Sequence, residues 1–495
     1  MSNSDINGKK EYIIKETGMK SQIFVKDLLI GNLNPIKACI VYVNGLANKD
    51  MIDRDILNPL MFQLKEELTN SEGLAQYLCL KYIPMCSTIV DKNLNNAVED
   101  LKSGKTILII EASEEVIIID TVAGNYRAIT EPINEITIRG SREGFVENIE
   151  INISILRRRI KDKTLTVEKY KVGRRSQTDV ALVYIRDIAD DDILKIVREK
   201  IQAVDVDFIT TTESLMRYIE DYTYTPFPLN YGTERPDIVE SNIMEGRIAI
   251  LTSGAASVCT VPALFTEFFQ GVEDYSQRTI IVSFLRVLRV MAIFLVITFS
   301  SIYLTLIRFN AGLIPVKFVI PIVQSRVGIA LTPFLEILVL EIIVELLREG
   351  GLRIPSKIAQ TASVVGGIII GDTAVRSKIV SPTTLLIVGI TVVTSFIIPN
   401  YDMALAIRFL RFPMLVLANA MGIFGISLGW FFIFIHLASL DSYGVPYLSL
   451  NRSDLEDFAV ISPLWKMHRR PSGIPNKDDI RRRDFRTKLR GQKNE

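Results

Sequence analysis

The sequence predicts an α/β N-terminal region made of two related subdomains, followed by an α-helical polytopic membrane domain. Three observations predict it. The mean hydropathy is +0.26 although 23% of the residues are charged, which requires charge and apolar residues to sit in different parts of the chain. Beyond Arg289, three runs of 18, 23 and 29 residues (Val290–Ile307, Ile379–Tyr401, Phe412–Leu440) lack Asp, Glu, Lys and Arg. A soluble core helix rarely stays apolar on every side for that length. Strand-like segments in the first half recur 142 residues apart.

Taken in order, residues 1–29 read as an N-terminal tail, 30–162 and 163–277 as the two α/β subdomains, 278–440 as the transmembrane domain and 441–495 as a basic tail. The first twenty residues contain no apolar core of a signal peptide, so the first half should stay on the cytoplasmic side. Lys37–Gly45 is strand-like and leads to a helix-like Asp53–Glu67; Lys105–Glu111 and Val116–Val122 read as hairpin strands. The repeat rests on two pairs at one offset: Val41-Tyr42-Val43 with Val183-Tyr184-Ile185, and Gly104-Lys105 with Gly246-Arg247.

Each subdomain is followed by a basic amphipathic segment, Ser141–Lys161 and Glu273–Arg289. In the first, Phe145, Ile149, Ile153 and Leu156 share a helical face, and Arg157, Arg158 and Arg159 close the helix where cations suit its dipole. Aligning Ser154–Arg157 with Ser283–Arg286 suggests that both subdomains end in a similar helix. Arg157, Arg158, Arg159, Arg286 and Arg289 are therefore candidates for contact with lipid phosphate or a neighbouring subunit.

Four spans are expected, at about 285–307, 322–347, 379–400 and 412–438. The second carries Arg326, Glu336, Glu341 and Glu345, with Arg348 within local reach of Glu345. Glu341 and Glu345 share a face, while Glu336 lies ~140° from Glu341 around the helix. Ionisable groups in a span are costly unless paired or facing water. The segment 357–376 is rich in small residues and carries Gln360, Thr361, Ser363 and Asp372. Around an axis of several copies, a face of Thr361, Val364 or Val365, Ile368 and Asp372 makes a polar entrance, an apolar waist and an acidic ring, which favours cations and gates by dewetting. A small-residue packing interface without conduction is the alternative. The tail carries 12 Lys+Arg against 8 Asp+Glu, so both ends should be cytoplasmic. With 357–376 not crossing fully, four spans place Arg408 and Arg411 on the far side, on an interfacial helix Asp402–Arg411 that contacts headgroups or a partner.

Composition excludes several functions. A net charge of +1 argues against wrapping nucleic acid. Four cysteines and two histidines form no metal-ligand spacing, and no nucleophile–base constellation accompanies the membrane carboxylates, so no metal, no cofactor and no enzyme activity are expected.

The stretches SREGFVENIEINISILRRRIK (141–161), EDYSQRTIIVSFLRVLR (273–289), GLRIPSKIAQTASVVGGIIIGDTAV (351–375) and DSYGVPYLSL (441–450) resemble the A subunit of GerA-type spore germinant receptors, over about residues 30–470. The resemblance implies a multi-pass protein of the spore inner membrane with a two-part cytoplasmic N-terminal region. It implies a homo-oligomer that works with a transporter-like B subunit holding the nutrient site and a lipoprotein C subunit, and that forms a nutrient-gated cation channel triggering germination. By position it implies pore lining by Val364, Val365, Gly366 and Ile368. The competing expectations are a non-conducting scaffold that clusters receptor complexes, and the related A-subunit-like protein of the operon for the dipicolinic acid channel.

Overall fold

A computed structural model describes residues 6–449 and 460–481, apart from 18–22, 32–34, 45, 65, 67, 69–72, 112, 123–129, 133, 136, 138–139, 354–370 and 464–466. The chain divides into two units, Met1–Tyr126 and Arg127–Glu495.

The first unit is a five-stranded sheet of β1 (Ile23–Ile30), β2 (Ile36–Val43), β3 (Thr88–Asp91), β4 (Thr106–Ile110) and β5 (Val116–Ile119). The spatial order is β1-β2-β4-β5-β3, with every neighbouring pair antiparallel. Every residue of β4 and β5 is buried, because helices cover both faces. Ile13 of helix Ile6–Thr17 and Ala97, Val98 and Leu101 of helix Leu94–Lys102 pack on Cys39, Val41, Ile107 and Ile118. On the opposite face, Ile52, Ile56, Leu60 and Leu78 pack on Ile40, Leu108 and Ile117. The stretch expected as a helix over Asp53–Glu67 is wound largely as π-helical turns, Ile52–Leu57 and Pro59–Gln63.

The second sheet repeats the first. Its strands are β6 (Leu165–Val172), β7 (Thr178–Ile185), β8 (Tyr231–Thr233), β9 (Ile248–Thr252) and β10 (Val258–Val261), in the order β6-β7-β9-β10-β8. The starts of β2 and β7, of β4 and β9, and of β5 and β10 are each separated by 142 residues, as are those of helices Leu94–Lys102 and Pro236–Met244. Helices Ile149–Arg159 and Pro236–Met244 cover one face through Ile153, Leu156, Val239 and Ile243. Helices Asp191–Ala203 and Thr212–Ile219 cover the other through Val197, Ile201, Leu215 and Met216.

This arrangement moves two expected boundaries. Helix Ile149–Arg159 belongs to the second sheet, on which its apolar face lies, and not to the end of the first subdomain. Its counterpart is Ile6–Thr17, so residues 1–29 hold a structural helix and most of β1 rather than a tail, and each repeat begins with its helix. Ser283–Arg286 has no part in the repeat: it lies in the opening turns of a 30-residue helix, Thr279–Arg308.

The helical part continues with Val316–Arg326, Pro333–Arg353, Pro382–Ser395, Tyr401–Met421 and Ile423–Ser439. Thr279–Arg308 and Tyr401–Met421 are long and apolar enough to cross a membrane; Pro382–Ser395 and Ile423–Ser439 are shorter and apolar. The region expected as one span at 322–347 is two helices, separated where Gly328 adopts φ +83° and Pro333 opens the next helix. The expected span 412–438 is likewise a helical hairpin that turns at Gly422, with φ +60°. Its arms pack so closely that a Cβ on Gly425 would lie 2.1 Å from the Leu417 carbonyl oxygen. Asp402–Arg411 is the first half of Tyr401–Met421 and not a separate interfacial helix; the Asn400 side chain caps the start by accepting from the Met403 N–H at 3.0 Å.

The described part of the tail is not a free appendage. Tyr443, Val445 and Ile474 are buried in the core of the second sheet with Leu182 and Ile193. The Lys477 N–H donates to the Ile188 carbonyl at 2.9 Å.

Candidate functional site: charged groups held inside the helical region

Apolar helices tolerate carboxylates only where cations and hydrogen-bond donors meet them. Three of the four carboxylates of Pro333–Arg353 are met in this way; the fourth, exposed Glu349, pairs with Arg353 of its own helix at 2.7 Å. Glu336 is fully buried, receives the Ser381 N–H at 3.1 Å and the Thr384 hydroxyl at 2.9 Å, and pairs with Arg326 at 2.8 Å. Ser381 also caps helix Pro382–Ser395, accepting from the Thr384 N–H at 3.2 Å, so one carboxylate ties three helices together.

Further along the same helix, Arg411 is fully buried and lies 2.9 Å from Glu345 and 3.4 Å from Glu341, which is also fully buried. Glu345 gathers two more guanidiniums, Arg348 at 3.4 Å and Arg408 at 3.7 Å. Arg348 donates to the Ser395 hydroxyl at 2.7 Å and to the Val392 carbonyl at 3.2 Å. Arg408 and Arg411 thus sit inside the bundle, where Glu341 and Glu345 compensate their charge, rather than facing headgroups. Helices Pro333–Arg353 and Pro382–Ser395 run parallel, with Glu336 beside Ser381 and Arg348 beside Ser395.

A third cluster lies where the second sheet meets the helices. Asp274, almost fully buried, pairs with Arg286 at 3.0 Å and with Arg289 at 2.6 Å. Arg289 also donates to the Phe269 carbonyl at 3.1 Å. Arg286 and Arg289, expected at lipid phosphate or a neighbouring subunit, are turned into the protein, because Asp274 and a backbone carbonyl lie within their reach. Of the other basic trio, Arg159 joins Glu143, Glu240 and Ser141, Arg158 reaches Glu143, and Arg157 is exposed at the helix end. Asp372 is exposed and pairs with Arg376 one turn later at 2.8 Å. Thr361, Val364, Val365, Gly366 and Ile368 lie outside the described residues.

Sequence reasoning names the glutamates, Arg326 and Arg411 but pairs neither arginine with its carboxylate, and it does not single out Asp274. An arginine inside an apolar run is a visible signal; which carboxylate answers it, 66 residues away for Arg411 and Glu345, is not. In the second sheet, the Arg198 guanidinium, helped by Tyr184 and Tyr170, holds the Glu168 carboxyl down at about 2, and Tyr170 is pushed up to about 12 chiefly by burial. Among the described residues no group of three or more His, Cys, Asp or Glu is placed to hold a metal ion.

The profile of the family described as Bacillus/Clostridium GerA spore germination protein matches residues 11–473. Spore germination protein KA of Bacillus subtilis (strain 168) is 35% identical over 471 residues, 94% of this chain and 86% of that protein. Spore germination protein B1 of the same organism is 32% identical over 484 residues, 97% and 99% of the two chains. The B. subtilis membrane protein YfkQ is 35% identical over 442 residues, 88% and 85%. Among solved structures, the N-terminal domain of the A subunit of the Bacillus megaterium spore germinant receptor GerK3 is 30% identical and covers 53% of this chain and 96% of that one, with a TM-score of 0.22. The chain belongs to the GerA spore germination protein family: it is a membrane protein and the A subunit of a spore germinant receptor, and it is not an enzyme.

Proposed function

We propose that copies of this subunit oligomerise in the inner spore membrane into a nutrient-gated cation channel lined by 357–376, working with a transporter-like B subunit and a lipoprotein C subunit. The observation that carries the reading is the pinning of helix Pro333–Arg353. It leads directly into 357–376, and three of its four carboxylates are answered from neighbouring helices of the same chain. A helix held by ion pairs can serve as a fixed wall beside a moving element. The hydroxyl, amide and carboxylate groups of 357–376 would be costly against acyl tails, and water within a ring of copies would receive them. Burial of Tyr443, Val445 and Ile474 in the second sheet supports a tail on the same side as the N-terminal region, which we take to be cytoplasmic. Gating requires the nutrient-bound partner to bind open and closed forms with different affinity.

The test is ion flux from the purified receptor complex in liposomes. Val365→Arg is expected to abolish nutrient-triggered flux while leaving assembly intact. Normal flux from that variant rules out the lining assignment, and flux lost together with assembly is resolved by the milder Val365→Thr.

A further inference from the structure

A cavity of about 320 Å³ lies between the second sheet, its helix Pro236–Met244 and the connection that leads into Thr279–Arg308. None of the charged clusters described above lines it. Its walls include Tyr231 from β8, Ser241 and Glu245, Arg247 at the head of β9, and Gln270 and Tyr275 from the connection. Arg481 of the tail and Glu267 complete the lining. The size falls at the lower end of small-molecule sites, about 300–1,000 Å³.

The cavity holds hydrogen-bonding capacity that its own residues do not use. Arg247 is only 4% exposed, pairs with Glu267, and its Nε has no hydrogen-bond partner among the described residues. A buried guanidinium N–H left unmet is costly; this one is enclosed, so it meets an acceptor in the cavity once the Arg247 side chain turns toward it. Glu245 lies 3.6 Å from Arg247 and 3.6 Å from Arg481, beyond charge-assisted hydrogen-bond length on both sides. A hydroxyl seated beside either pair can donate to Glu245 and accept from the guanidinium.

Charge selects the ligand class. Both oxygens of Asp237, the third acid in the lining, are occupied by Arg235 at 3.1 and 2.7 Å. That leaves Glu245 and Glu267 against Arg247 and Arg481, two charges of each sign. A net anion or cation would unbalance the set. A hydroxyl donates and accepts through one atom, Ser241 and Gln270 offer more of both, and two tyrosines supply flat walls. We propose that this cavity is a binding site for a small, electrically neutral polyhydroxyl molecule. Because one wall belongs to the connection that carries Asp274, the bound molecule stiffens the joint between sheet and helices. The proposal stands independently of the channel reading.

The test is calorimetric titration of the full-length chain in lipid nanodiscs with myo-inositol, glucose and glycerol. Inorganic phosphate, putrescine and glycine are the anionic, cationic and zwitterionic controls. At least one polyol is expected to bind with a dissociation constant below about 10 mM. Ser241→Phe, which fills the cavity from a half-buried helix position, and Gln270→Leu are each expected to weaken binding at least about tenfold. Arg247→Lys is expected to do the same; the other two variants keep the test decisive if it fails to fold. Binding of ions only, no binding of any polyol, or polyol binding unaffected by Ser241→Phe and Gln270→Leu overturns the proposal.

Discussion

Lys105 and Arg247 open equivalent strands of the two sheets, and their surroundings differ sharply. Lys105 pairs with Asp100 at 2.7 Å, and both side chains are partly exposed. Arg247 is buried against Glu267, a residue of the connection that runs from β10 toward the helices. Strand order and one helix cap are shared: Asn48 and Asp190, 142 residues apart, both accept backbone N–H groups at a helix start. One scaffold has thus been kept twice. The cation at the head of the equivalent strand is partly solvated in the first copy, and in the second the connection after β10 buries it. The second copy also carries the Asp274 joint to Thr279–Arg308.

This comparison is open to direct attack. The largest effect is expected from Asp274→Asn, which removes the carboxylate shared by two guanidiniums; loss of one partner from a buried pair costs about 3–5 kcal/mol. It should show as a large drop in the unfolding temperature of the detergent-extracted chain. Arg247→Met should cost nearly as much, through the stranded Glu267, while Lys105→Met should cost at most about 1 kcal/mol, as for exposed pairs. Equal losses at the two positions would dissolve the contrast. Asn48→Ala and Asp190→Ala should each cost about 1 kcal/mol in denaturant unfolding, since the caps are alike. The acid response should differ modestly. Glu168 faces Arg198, and its folded-state value of about 2 lies below the ordinary 4.5, so the stability it contributes is present above pH 4.5 and is lost as pH falls toward 2. Lys26 stands at the corresponding position of the first sheet. Glu168→Gln should therefore flatten the acid limb of the second subdomain, followed by tyrosine fluorescence, and leave the first unchanged.

The repeat was legible because strand burial imposes apolar runs, and 142 residues separate them in both copies. The amphipathic pattern of Ile149–Arg159 marks a helix with one buried face, but periodicity reveals a face and not the sheet that covers it. Ile155 and Ile13, at matching positions and both buried, would have given the pairing. The turn at Gly422 was hidden inside an uncharged run, where apolarity carries no record of where a helix stops. Of the candidate site, the glutamates stood out by being charged among apolar neighbours. Which arginine answers which glutamate is not legible, because ion pairs between helices obey no sequence spacing.

The central claim is that Asp274 fastens the second subdomain to the first turns of Thr279–Arg308. Hydrogen exchange of the full-length chain in lipid tests it most directly, comparing Asp274→Asn with the parent across Thr279–Arg289. The account expects exchange at least about tenfold faster in those turns, with the strands of the first sheet unaffected. Unchanged protection across Thr279–Arg289 would contradict it.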